Sequence, residues 1–168
     1  MRMRSYMKGD LDGVNNLIRR VFIESTWTRR STIKYLKAGK GMVLEVPSEV
    51  VEIEGVAKRL PAAINGVLFW RETPKRIRMD LIAVANELQL MGHGRKLANY
   101  LDQFSKPIRT FVPEDDLGVQ LFLKAAGFKA VKIKPEYYLD DETAYCFEKI
   151  PETCHTGAHA VTTRKTRR

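Results

Sequence analysis

At 168 residues, with 44% hydrophobic and 9% aromatic residues, the chain is the size of one ordinary domain and can bury a core without disulfides or metals. Its longest apolar runs, such as LIAVA at 81–85, fall far short of the roughly 20 residues of a membrane-spanning helix, and no apolar stretch follows the charged opening MRMRSYMKGD. Neither a transmembrane helix nor a secretory signal is therefore expected, which makes the cytoplasm the expected location, and a net charge of +9 with a pI near 9.7 favours an anionic partner: nucleic acid, a phosphorylated cofactor or an acidic protein.

Along the chain, strand and helix patterns alternate. MRMRSY is a strand candidate, and Asp10 offers an N-cap to a helix with Leu11, Val14, Leu17, Ile18 and Val21 at helical spacing. A second helix is expected after Thr28, through RRSTIKYLKAG, stopping at Gly39 or Gly41. GMVLEV (41–46) and INGVLFWRE (64–72) read as strands by their β-branched and aromatic content. Between them, PSEVVEIEGVAKRLPAA (47–63) is ambiguous, with a strand extension followed by a loop as one reading. RIRMDLIAVA (76–85) alternates Ile77, Met79, Leu81 and Ala83 against Arg78, Asp80, Ile82 and Val84. The second set turns apolar only at its end, which predicts a central strand buried on both faces at its C-terminus.

A helix with Leu97, Leu101 and Phe104 on one face follows, then the strand IRTFVP (108–113). Asp115 or Asp116 caps a further helix with Leu117, Leu121 and Ala125 expected inward, closed by Gly127. KAVKI and TAYCFEKI end the body as two strands. Residues 151–168 hold four Lys or Arg against one Glu and almost no large apolar residue. They read as a basic, disordered tail for which electrostatic docking on RNA is the functional alternative to a solvated end, leaving +6 for the body. Cys146 and Cys154 are eight apart, and with His155 and His159 they match no established zinc spacing, so no metal is expected.

The stretch QLMGHGRKLANYL (89–101) places two glycines where a buried strand ends and a helix begins. First-turn amides have no intrahelical partner, and the aligned peptide dipoles leave partial positive charge there. Glycines at 92 and 94 would let phosphate oxygens approach those amides, with Arg95 and Lys96 adding attraction. The frame is neither a P-loop, since GxxxxGK[ST] is missing, nor GxGxxG, since Leu97 takes the third glycine's place. A plain connecting turn is the alternative.

VANELQLMGHGRKL (84–97) resembles motif A of the Gcn5-related N-acetyltransferases, the GNAT superfamily, with Gln89, Gly92 and Gly94 filling its Q/RxxGxG/A pattern. EDDLGVQLFLKAAGF is similar to motif B, the helix ending in Gly-Phe, and KAVKIKPEYYLDDETAYCFEKI resembles the closing strands of the ribosomal-protein alanine acetyltransferase branch. The resemblance spans residues 2–150 and implies one domain over 1–150. Its fold would be α/β, a mixed, mostly antiparallel sheet flanked by helices: the acyl-CoA N-acyltransferase fold. It also implies acetyl-CoA as cosubstrate. The backbone of Ile82, Ala83 and Val84 would pair with the pantetheine arm, while Gln89, Leu90, Met91, Gly92, His93, Gly94 and Arg95 would wrap the pyrophosphate. Asp116 stands where many members have a cofactor-contacting Asn.

At the family's two proton-handling positions this chain departs: Leu123 stands where a Tyr acid is common, beside Phe122, and Phe111 where the branch has a Glu base. Asp80, Glu114 and Tyr137 or Tyr138 are the replacement candidates. Without an evident base, an α-amine with a pKa of about 7.7–8.0 is an easier acceptor than a lysine at about 10.4. The function implied is direct acetyl transfer from acetyl-CoA to a primary amine, plausibly a protein N-terminus. The alternative is an impaired binding module that docks on RNA or an anionic protein. IESTWTRR and PEYYLDDE would shape the acceptor cleft: Trp27 either walls a peptide groove or covers the core, Arg29 and Arg30 suit an acidic acceptor, and Asp140, Asp141 and Glu142 suit a basic one.

Overall fold

A computed structural model of the chain describes residues 1–22, 33–34, 37, 39–53, 56–60, 62–138 and 142–152. In chain order the elements are β1 (Arg2–Ser5), α1 (Leu11–Val21), β2 (Lys40–Val46), β3 (Glu49–Ile53), β4 (Val56–Leu60), β5 (Ala63–Glu72), β6 (Ile77–Val84), α2 (His93–Asn99), β7 (Ile108–Pro113), α3 (Leu117–Ala125), β8 (Lys129–Lys134) and β9 (Ala144–Lys149). Seven strands form one sheet in the order β1-β2-β5-β6-β7-β9-β8, and β3 and β4 pair only with each other. The ambiguous stretch at 47–63 thus resolves as a hairpin. Every pairing is antiparallel except β6 with β7, which is parallel, as expected of a mixed, mostly antiparallel sheet flanked by helices.

Hydrophobic burial on both faces holds this sheet between its helices. On one face, Leu68, Trp70, Ile77, Met79, Val84, Ile108 and Phe147 pack with Leu97, Leu101 and Leu123 from the α2 and α3 segments. On the other, Val43, Val67, Phe69 and Ala83 pack against Val14, Leu17 and Ile18 of α1.

Strand β6 departs from the simple alternation expected of it. Phe69 pairs with Leu81 and Trp70 with Met79, so Asp80 is an extra residue on β6. Because side chains alternate faces, one added residue exchanges the faces of everything beyond it. Ile77 and Met79 therefore share the α2 face with Ile82 and Val84, whereas Leu81 and Ala83 turn to α1. The same bulge bends the strand. β6 pairs with β7 only at Ile77↔Ile108 and Arg78↔Arg109, and beyond those two pairs the strands part into a cleft.

Two further expectations are corrected. Asp10 stands before α1, but its carboxylate gives the helix no cap bond. It accepts instead from Met7 N (2.7 Å) and from Arg4 Nη1 (2.7 Å) and Nη2 (2.8 Å), a charge-assisted pairing stronger than a neutral cap. In α3 the buried positions are Leu123 and, just beyond, Ala126, while Leu117 and Leu121 are 66% and 67% exposed. The helix is thus turned by part of a revolution from the facing its leucines suggest. Of the second expected helix, Ile33, Lys34 and Lys37 are helical, and Gly41 already belongs to β2; Thr28 and the remainder lie outside the described residues, as do Trp27, Arg29, Arg30, Asp140, Asp141, Cys154, His155, His159 and the tail beyond 152. Among the described residues, no helix is long and apolar enough to cross a membrane.

Candidate functional site

Two features meet at the C-terminal end of β6: the cleft opened by the bulge and the glycine turn. The chain leaves Val84 through a short 3-10 turn, Asn86–Leu88, then reverses through Leu90 (φ 60°) and Gly92 (φ 83°) into α2. A left-handed backbone suits glycine and costs leucine about 1–2 kcal/mol. A Cβ at Gly92 would meet nothing within 4 Å, so its φ angle, and not crowding, calls for glycine there. Gly94 differs: a Cβ there would lie 3.0 Å from Phe122 Cε2, so its bareness lets α2 approach α3.

The first helical bond runs from Lys96 N to Gly92 O (3.0 Å). The amides of His93, Gly94 and Arg95 before it therefore point out of the helix end, the orientation an oxyanion uses. Beside them lies a groove of about 460 Å³ lined by Leu90, Gly92, Gly94, Arg95, Leu121 and Phe122. The apolar side chains Leu90 and Met91 are exposed at its edge. Gln89 is exposed and bonds back to the chain: its Nε2 donates to Val84 O (3.1 Å) and to Asn86 Oδ1 (3.0 Å), tying the turn to the end of β6. A phosphate-bearing thioester fits this arrangement, with bare amides and Arg95 for the phosphates, an apolar-sided groove, and β6 backbone left unpaired by β7 for an extended arm.

On the α1 side of the cleft stand the proton-handling candidates. Asp80 is 3% exposed and held on two sides, with Arg71 Nε and Nη2 at 2.7 and 2.6 Å and Arg78 Nε at 3.1 Å. Arg78 Nη2 also donates to Tyr137 Oη at 2.7 Å. Tyr137 stacks on Phe111, centroids 4.5 Å apart, and the Arg78 guanidinium lies 5.3 Å from the Phe111 ring. Tyr138 donates its hydroxyl proton to Phe111 O (3.1 Å). Glu114 lies apart, its Oε1 accepting from Tyr145 Oη at 3.0 Å, a bond that raises the Tyr145 phenol above its ordinary value.

The structure thus brings Asp80, Tyr137 and Tyr138 together around Phe111 and leaves Glu114 on a neighbouring pair. Leu123 is fully buried in the α2-side core. Asp116 is occupied as the cap of α3, its Oδ1 accepting from Val119 N at 3.0 Å. Arg71, on the neighbouring strand β5, is the second clamp on Asp80 beside Arg78. Sequence reasoning missed Phe122 as the contact behind Gly94, which nothing local signals.

No family model matches the chain, and no curated protein is similar to it in sequence. Solved structures are similar in fold. Ard1 from Thermoplasma volcanium has a TM-score of 0.68 at 19% identity, over 89% of this chain and 96% of that one. The ribosomal-protein-S18-alanine N-acetyltransferase from Escherichia coli has 0.69 at 16%, over 89% and 93%. Naa20 from Chaetomium thermophilum, solved in complex with a bisubstrate analogue, has 0.65 at 17%, over 98% and 94%. The chain has the GNAT N-acetyltransferase fold.

Proposed function

We propose that this protein is an N-acetyltransferase that moves the acetyl group of acetyl-CoA directly to a primary amine, with a polypeptide α-amine as acceptor. The observation that carries this reading is the cleft: β6 leaves β7 after Arg78, and the parted strand ends at a glycine turn with outward amides. N-terminal and other amine acetyltransferases of the same fold support it.

Acetyl-CoA, when bound, supplies the thioester carbonyl carbon that the amine nitrogen attacks, the C–S bond breaking as the C–N bond is made. The chain's own residues position and handle protons. The backbone of Ile82, Ala83 and Val84 takes the pantetheine arm as an added strand, and the amides from His93 to Arg95 with the Arg95 side chain take the pyrophosphate. Leu90 would add an apolar wall to the groove beside it. The incoming nitrogen loses one proton and the departing sulfur gains one. Tyr137 is the better placed donor of the two tyrosines, since its oxygen accepts from Arg78 and keeps its own proton available, while Tyr138 has committed its proton to Phe111 O. Asp80 orients Arg78 beneath it. An α-amine, partly neutral near pH 7, asks least of this site.

Calorimetric titration of acetyl-CoA tests the reading. Micromolar binding is expected, weakened about ten-fold or more by Arg95→Glu, which replaces a charge-assisted contact with repulsion. Absence of binding to the folded wild type would overturn it and leave RNA docking as the function to pursue.

A further inference from the structure

The face of the sheet on which Tyr137 sits continues past the cleft across β7, β9 and β8. Strand pairing puts Arg109 beside Glu148, Phe111 beside Cys146 and Lys132 beside Cys146. Together with Lys134 these side chains line a cavity of about 570 Å³. Its charge is one-sided. The two carboxylates on this part of the face are already committed, Glu148 to Arg109 and Asp80 to Arg71 and Arg78. Lys132 and Lys134 make no ion pair among the described residues. The Lys134 ammonium lies 5.2 Å from the ring centroids of both Phe111 and Tyr137, which holds it at the edge of the cleft without neutralising it. Glu136, next to Tyr137 in the chain, and Glu142, whose carbonyl accepts from the amides of Tyr137 and Tyr138, are exposed counter-charges beside the two tyrosines.

We infer that the acceptor is an acidic polypeptide N-terminus, its α-amine entering the cleft at Tyr137 and its carboxylates, in the residues after the first, lying on Lys134 and Lys132 of β8. This rests on the acetyltransferase reading and names its substrate class. An extended chain advances about 3.3–3.6 Å per residue with alternate side chains on one face, so three residues reach from the cleft mouth across two strands at the roughly 4.8 Å strand spacing. The cavity is walled by Phe111 and Val131, apolar surfaces that lower the local dielectric and strengthen each charge contact. Complementarity of this kind governs selection and approach rate more than bulk affinity.

The test uses the full chain and two fluorescent peptides with free α-amines, identical except for Asp/Glu or Lys at positions two to four. Anisotropy at low salt is expected to show the acidic peptide binding at least about ten-fold tighter, with the difference shrinking as salt rises. Lys132→Glu with Lys134→Glu is expected to abolish or reverse the preference, and Lys132→Gln with Lys134→Gln to reduce it. Both variants are checked for unchanged melting temperature and unchanged acetyl-CoA binding. Equal or tighter binding of the basic peptide, a preference indifferent to the folded variants, or displacement of the acidic peptide by lower concentrations of an RNA oligonucleotide of equal charge would overturn the inference alone. Failure of acetyl-CoA to bind the wild type would overturn the acetyltransferase reading and this acceptor with it.

Discussion

Asp80 shows how much a single side chain can be asked to hold. Its carboxylate is clamped by Arg71 and Arg78, and the two guanidinium charges oppose its taking up an amine proton. Asp80→Asn is expected to lower stability by about 1.5–3 kcal/mol, read in a denaturant titration, because charge-assisted bonds on a nearly buried group are lost. Tyr137→Phe is expected to lower kcat by about a hundred-fold with acetyl-CoA affinity unchanged. Tyr138→Phe should cost about 1 kcal/mol of stability and leave kcat near the wild type, since it loses only a bond to backbone. Far from the cleft, Glu45 is buried and bonded by Arg4 (2.8 Å) and Arg2 (2.9 Å). The Arg4 bonds, above all, hold its carboxyl down at about 2, below the ordinary 4.5. A carboxyl depressed on folding adds stability that is whole above pH 4.5 and lost as pH falls toward 2. Melting temperature should fall across that window, and less steeply in Glu45→Gln.

At the scale of elements, the ends of α3 and its facing differ in what sequence could reveal. Asp116 and Gly127 were legible because a cap and a left-handed closing glycine are local chemistry. Which side faces inward was not, because Leu117, Leu121 and Leu123 offer competing stripes and only the position of β7 and β9 chooses among them. Asp116→Ala should destabilise by about 1 kcal/mol. Asp116→Asn keeps the cap and removes an anion near the glycine turn, so its stability should match the wild type while acetyl-CoA binds as well or better in calorimetry. The bulge in β6 was equally illegible: period-two alternation continues through Arg78-Met79-Asp80 without a break, and the extra residue exists only relative to β5. Deleting Asp80 would make Phe69↔Leu81 and Trp70↔Met79 successive pairs of an unbroken ladder with Leu81 and Ala83 still on the α1 face. The bulge and the clamp on Arg71 and Arg78 would be lost, and loss of acetyl-CoA binding by a folded, less stable protein is the expected result, read by calorimetry and thermal melting.

For the whole molecule, one sheet serves two cores, and neither can be lost alone. Leu68→Ala on the α2 side and Leu17→Ala on the α1 side, both fully buried, should each cost about 2–5 kcal/mol while unfolding stays a single transition by fluorescence and circular dichroism alike. The order of strands and helices was readable from periodicity, since each element buries one stripe. The separate β3–β4 pairing was not, because Glu49–Ile53 and Val56–Leu60 carry strand chemistry but join no larger sheet. That separateness has a practical side. Val46 pairs directly with Ala63, so the chain leaves the sheet and re-enters it at adjacent points, and β3 and β4 form a sheet of their own outside the seven strands. Such a site tolerates replacement: a tight turn grafted between Val46 and Ala63 should give a shorter, equally folded protein, and a foreign peptide placed there would be displayed on a stable carrier.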